Sequence, residues 1–222
     1  MVGFLKQQRS LDSVSDADTA ASEYEALFIF DWDDTLMPTT FLSSLSGGLP
    51  PHISHALDSL GLLVAENLME ASTYGKVVIV TNAENGWIEM TAKRFFPQVA
   101  ESLLSYRRVS ARTQYESHTK SATEWKVLAF RELIEGSCIE QVISFGDSAH
   151  ERDAAMRVAS EEGVTCKSLK MMEKPDIDQL MRQHKLLRKC FEQMVDYAEN
   201  LDLCITHERL IDERERVTSV RE

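Results

Sequence analysis

The chain has 222 residues, 43% of them hydrophobic and 27% charged, the composition of a folded globular protein and too apolar for a fully disordered one. Its 24 basic and 36 acidic side chains leave a net charge of −12, so the surface lacks the basic footprint that nucleic acid or an anionic membrane requires. One domain is expected at this length, and a chain of this size buries about 70% of its extended surface, so a core needs no metal or disulfide staple.

The four cysteines, Cys138, Cys166, Cys190 and Cys204, form no C-x-x-C pair and read as buried thiols of a reducing compartment. No apolar run approaches the roughly 18 residues of a membrane span. Met1–Lys6 shows no signal-peptide core, and the expected location is cytoplasmic.

In chain order, residues 1–24 are polar and are expected to form a flexible tail. An α/β core follows over 25–175. Three short apolar runs, 26–30, 77–80 and 142–145, are nearly continuous, as strands buried on both faces are; 107–111 and 164–169 are weaker strands. Helical periodicity marks 52–72, interrupted by Gly61, and then 85–95, 123–134 and 149–160, with Gly136 and Gly163 as stop signals. Strands alternating with helices predict a doubly wound parallel sheet, Rossmann-like in class. Residues 176–201 keep a 3.6 period and predict one amphipathic helix about 40 Å long, long enough to leave part of it for a partner. With the charged tail from Glu208, this makes a C-terminal helical extension over 176–222, packed on the core.

In an open parallel sheet, ligands bind beyond the carboxyl ends of the strands. The first strong strand is followed by Asp31-Trp32-Asp33-Asp34-Thr35, the second ends at Thr81-Asn82, and the third ends at Gly146-Asp147-Ser148. All three therefore deliver small polar or acidic residues to one rim. Residues i and i+2 of an extended segment point the same way, so Asp31 and Asp33 can face one substrate.

These residues resemble the haloacid dehalogenase superfamily of phosphohydrolases, over about residues 27–169. The resemblance rests on four motifs in order: D-x-D-x-T at Asp31, Asp33 and Thr35; a strand ending in Thr81; a lysine opening a helix at Lys126, with Lys120 as its rival; and Gly146-Asp147 with Glu151 and Asp153 behind. The spacings of 50, 45 and 21 residues each leave room for a crossover unit. The resemblance implies a Mg²⁺-dependent phosphatase in which Asp31 attacks phosphorus and Asp33 protonates the leaving oxygen, then activates water. It implies that Thr81 and Lys126 bind phosphoryl oxygens, and that Asp31, the Asp33 carbonyl, Asp147 and Glu151 hold the metal. Two departures stand out. Asp34 occupies a position where many members carry glycine, and Glu151 stands where the second acid of the fourth motif is usually Asp, with Asp153 two places on.

The non-enzymatic alternative is a phosphate-binding or scaffold protein on the same fold. The short stretch 36–51 is too small for a folded cap, so a capless or minimally capped site is expected. The substrate expected for such a site is a phosphoprotein, a bulky phosphoester or a broad range of small phosphates, with no nucleic acid and no membrane. Trp32, Trp87 and Trp125 neighbour the motifs and read as core or helix-stapling residues, with an aromatic wall at the site mouth as the alternative. Ser148 reads as a helix cap, His150 as a solvated loop residue, and His52 and His55 as surface histidines.

Overall fold

The computed structural model describes residues 26–46 and 48–206; the expected N-terminal tail and the charged run from Glu208 lie outside the described residues. Strands β1 (Ala26–Phe30), β2 (Lys76–Thr81), β3 (Arg107–Ser110), β4 (Gln141–Gly146), β5 (Thr165–Lys170) and β6 (Leu201–Cys204) form one all-parallel sheet in the order β3-β2-β1-β4-β5-β6. The protein is thus α/β and doubly wound. Strand β1 is central, with Phe28 facing Val77 on one side and Ile143 on the other. That position explains its unbroken apolar run, because both faces are covered by helices.

Successive side chains of each strand enter opposite cores. Ala26, Phe28, Phe30, Ile79 and Phe145 join one core with α2 (Pro51–Tyr74), α3 (Trp87–Phe95), α8 (Ile177–Arg188) and α9 (Phe191–Asp196). The rings of Phe30 and Phe145 stack there at 4.6 Å. Leu27, Ile29, Val78, Val80 and Val142 join the other, against α6 (Ala122–Ile134) and α7 (Ala149–Glu162). Short helices α1 (Thr39–Ser44), α4 (Ala100–Leu103) and α5 (Ala111–Tyr115) fill the connections. Among the described residues, no helix is long and apolar enough to cross a membrane.

Gly61 does not interrupt α2. A Cβ there would meet the Phe96 ring at 2.9 Å, so the glycine lets that ring pack against the helix. The single helix expected over 176–201 is not formed. Asp176 caps α8 through a capping box with Gln179, α8 ends at Arg188, and the chain turns at Lys189–Cys190 into α9 before adding β6 to the sheet. The periodicity misled because Leu187, Phe191 and Met194 are all buried, but against one core from two helices. The outer edge of β5 supplies the competing force: its backbone donors and acceptors need partners. Strand β6 pairs along it from Lys167↔Leu201 to Lys170↔Cys204, and the Cys166 N–H donates to Asn200 Oδ1 at 2.8 Å. No free 40 Å helix remains for a partner. The cysteines also depart from expectation: Cys166 is buried, but Cys138 and Cys204 are exposed.

Candidate active site

From β1 the chain runs outward through β2 and β3 on one side, then returns to place β4, β5 and β6 on the other. The reversal opens a crevice at the carboxyl ends of β1 and β4. Asp31 leaves β1 in the same phase as Leu27 and Ile29, which directs it toward the α6–α7 layer. Its N–H donates to the Phe145 carbonyl at 2.9 Å, holding the first motif to β4.

The following residues fold back at once. The Trp32 carbonyl accepts from the N–H groups of Leu36 and Met37, both at 3.0 Å. This tight turn puts Asp34 at φ +54°, the left-handed region where glycine costs least and Asp is among the tolerated residues. Asp34 also has a use glycine lacks: its Oδ1 accepts from the Thr40 N–H at 2.9 Å, anchoring the first turn of α1. The Thr35 carbonyl accepts from His184 Nε2 at 2.9 Å, and Asn67 Nδ2 donates to His184 Nδ1 at 3.0 Å. Helices α8 and α2 thereby brace the loop that carries both aspartates.

Lys126 is the fifth residue of α6, one turn deeper than a helix-opening position, and is fully buried. Its ammonium lies 2.5 Å from Asp31 Oδ1, 2.7 Å from the Val80 carbonyl and 3.1 Å from Glu151 Oε1. Lys120, the rival, is exposed and donates only to the Glu116 carbonyl.

Ser148 caps α7 in a capping box with Glu151, as its spacing suggests. Glu151 then folds back over Gly146, where a Cβ would lie 2.4 Å from the Glu151 Cγ. The glycine of the fourth motif is thus the space the Glu151 side chain occupies. Carboxylate oxygens of Asp31, Asp147 and Glu151 all lie within 4.8 Å of one another. Asp153 is exposed and pairs with Arg152 at 3.0 Å, away from this cluster.

Burial moves these acids strongly. It raises Asp31 well above the carboxylate range, with Glu151 and Asp33 adding to the rise and Lys126 opposing it. Burial, with Glu151 and Asp34 nearby, pushes Asp147 up to about 7. For Glu151 the desolvation penalty is outweighed by the Lys126 ammonium and the Ser148 hydrogen bond, and its pKa falls below the usual value. For Lys126 the same two carboxylates outweigh burial and raise it.

Asp33 is half-buried and accepts one hydrogen bond on each oxygen: Thr81 Oγ1 donates to Oδ2 at 2.9 Å and Trp87 Nε1 to Oδ1 at 2.8 Å. The Thr81 hydroxyl is directed at Asp33 rather than left free for a phosphoryl oxygen. Trp87 packs partly against the core and also walls the site, the alternative reading, whereas Trp32 and Trp125 pack as expected, donating to Thr91 Oγ1 and the Thr119 carbonyl. Trp87 opens α3 directly after Gly86, which caps the helix at φ +87°. An indole N–H next to a half-buried carboxylate needs an acceptor. His150 also reaches the site rim, its Nδ1 2.6 Å from Thr123 Oγ1.

The resulting cleft of about 500 Å³ is open to solvent and lined by Asp31, Asp33, Asp34, Asp147 and Glu151, with Asn82, Trp87 and His150. Among the described residues, no folded unit stands over it; α1, Trp87 at the start of α3 and His150 at the start of α7 flank the mouth. Five carboxylates line the cleft, against the Lys126 ammonium paired with two of them and the weaker pull of Lys170 on Asp147, so among the described residues the cleft has a deficit of positive charge. The donors of the Asp31–Asp147–Glu151 cluster are all hard oxygens, with no His or Cys among them, which fits Mg²⁺ better than zinc or copper. Burial is the main cause of the upward shifts of Asp31 and Asp147, with neighbouring acids adding to it, and a bound cation would favour the ionised form of both.

No family model matches the chain, and no curated protein or solved structure matches it.

Proposed function

We propose that the protein is a Mg²⁺-dependent phosphomonoesterase acting through an aspartyl phosphate on Asp31. The observation that carries this reading is the pairing of Asp31 with the buried Lys126 ammonium at 2.5 Å, beside a carboxylate cluster with the donor chemistry of a divalent cation. Asp31, Asp147, Glu151 and the Asp33 carbonyl are the groups that would hold Mg²⁺, which supplies the positive charge that lets a phosphate dianion approach these acids.

The chain's own residues divide the remaining work. Lys126 holds Asp31 in position and offsets charge on the phosphoryl oxygens. An Asp31 oxygen bonds to phosphorus as the ester P–O bond breaks, and Asp33 gives its proton to the departing oxygen. Asp33 then takes a proton from water, whose oxygen displaces Asp31 and releases phosphate. Trp87 and Thr81 keep the Asp33 carboxyl fixed for both transfers by holding one oxygen each.

The test is phosphate release from an aryl phosphate by wild type and Asp31→Asn. The variant should be folded and inert, because the amide is isosteric and a poor nucleophile. Chelation should silence the wild type and Mg²⁺ restore it. Retention of more than a few percent of activity by Asp31→Asn overturns the assignment, and phosphate binding without turnover in the wild type would favour the scaffold reading.

A further inference from the structure

A second, narrower cleft of about 250 Å³ adjoins the acidic one and is lined by Leu42, Trp87, Met90 and Phe95, with Thr39, Ser43, Thr91 and Arg94. Thr39, Ser43 and Trp87 line both, so the two lie side by side. Its lining differs in kind: carboxylates line the first cleft, and none lines the second. Trp87 is the partition. Its indole nitrogen is tied to Asp33 at 2.8 Å, which fixes the ring, and Met90 stands one turn along α3 with 52% of its surface exposed. Leu42 and Phe95 are half-buried against the core and complete an apolar slot.

The chemistry of the proposed reaction sets which part of a substrate lies here. The oxygen that receives a proton from Asp33 must lie against Asp33, and so beside the Trp87 ring. The metal-ligand cluster of Asp31, Asp147 and Glu151 occupies the other side of the phosphoryl group. The leaving group therefore departs along Trp87. A further depression also borders Trp87 and Met90 but includes Glu84 and Asn85, with Arg112 already paired to Glu84 and Glu116; Leu42 and Phe95 belong to the apolar cleft and not to it. The apolar cleft is the one without an acid. An apolar cavity of about 150 Å³ accepts a benzene ring, so this one has room for a ring with a short linker.

We propose that the Leu42–Trp87–Met90–Phe95 cleft is the leaving-group subsite, and that the substrate class is a phosphomonoester whose alcohol carries an apolar ring or branched hydrocarbon. The proposal rests on the phosphatase reading and narrows it. An open acidic cleft alone favours no leaving group, whereas burying a ring against Met90 and Phe95 rewards one.

The test compares 2-phenylethyl phosphate with ethyl phosphate, whose leaving alcohols are chemically alike, in the full chain with Mg²⁺. Wild type should prefer the phenylethyl ester about tenfold or more in kcat/KM. Leu42→Ser, which alters the apolar cleft and not the Glu84 depression, should lower that preference about fivefold, and Met90→Ser should lower it as well. Equal rates in wild type, or a preference that survives Leu42→Ser, overturns the subsite. If neither ester turns over, the phosphatase reading fails on its own. The subsite is then read by calorimetry with 2-phenylethylphosphonate and ethylphosphonate. Tighter wild-type binding of the first, lost in Leu42→Ser, supports the subsite, and equal binding refutes it.

Discussion

His184 lies outside the cleft, yet its replacement should be felt both in stability and in turnover. Its Nε2–H is the donor for the buried Thr35 carbonyl, and its Nδ1 accepts from Asn67, so one ring joins α8, α2 and the aspartate loop. In His184→Ala the Thr35 carbonyl loses that donor, at about 1–3 kcal/mol, and the missing imidazole leaves a cavity worth about 2 kcal/mol more. His184→Gln keeps a donor and an acceptor and should recover most of the loss. Acid adds an independent arm. Burial holds the imidazole down at about 4 against an ordinary 6.5, with only the Thr35 bond pulling upward. A base held neutral in the fold contributes stability that is full above the unfolded pKa and is lost as pH falls toward the folded one. The gap of two and a half pH units, at about 1.4 kcal/mol each, amounts to about 3 kcal/mol. Urea unfolding of wild type, His184→Ala and His184→Gln, at about pH 7.5 and about pH 4.5, reads both terms. The wild type should lose about 2–3 kcal/mol more than His184→Gln between those conditions, since the carboxylates are common to both. Parallel losses in the two proteins, or an alanine variant as stable as wild type, would refute the reasoning.

Other perturbations follow from the site. Asp147 is held at about 7 by burial and its acidic neighbours, above its ordinary 3.8, so it weakens the metal-free fold as pH rises between those values, and fully above them. Asp147→Asn in chelator should therefore be more stable than wild type by up to about 4 kcal/mol near pH 8 and equal near pH 4. A difference that does not change with pH would contradict this. Gly146→Ala drives a Cβ to 2.4 Å from Glu151 Cγ and must displace that carboxylate. A Mg²⁺ titration of activity should show about 10–100-fold weaker binding, and an unchanged midpoint would contradict the packing argument. Trp87→Phe keeps the ring but removes the donor to Asp33 Oδ1, and should lower kcat about tenfold with little change in folding. An unchanged kcat would show that Thr81 alone positions Asp33.

The parts of the fold that were legible in the sequence are those fixed by burial on two faces. Strands β1, β2 and β4 are apolar because helices cover both sides, and the acids that follow them sit at a shared rim because parallel strands end together. Spacing and the Ser121 cap signal favoured Glu151 over Asp153 and Lys126 over Lys120, but all four are polar residues near helix starts, and the helix phase, with Gly146 vacating space, is what turns the first of each pair inward. The C-terminal segment was illegible for a different reason. Leu187, Phe191 and Met194 satisfy a helical period equally well in one helix or in two, and the deciding force, the unpaired edge of β5, leaves no mark in the local sequence. The site role of Trp87 stood only as the lesser alternative, because an aromatic residue at a helix start is ordinarily a packing residue, and its hydrogen bond to Asp33 spans 54 positions.

The separation in sequence of the groups around Lys126 has a consequence for how the molecule is made. Phe28 pairs with Ile143, which is synthesised 115 residues later, and the bond between Lys126 and Asp31 spans 95 positions. Chains emerge amino end first at about 5–20 residues per second. Strand β1 therefore leaves the ribosome many seconds before β4, with one hydrogen-bonding edge unmatched and its acids without their cation. Such an edge is a template for pairing with another chain, and long-range parallel pairing is slow to form. The central strand is thus the nascent protein's point of exposure to aggregation, and no truncated product ending before Gln141 can hold the cleft together.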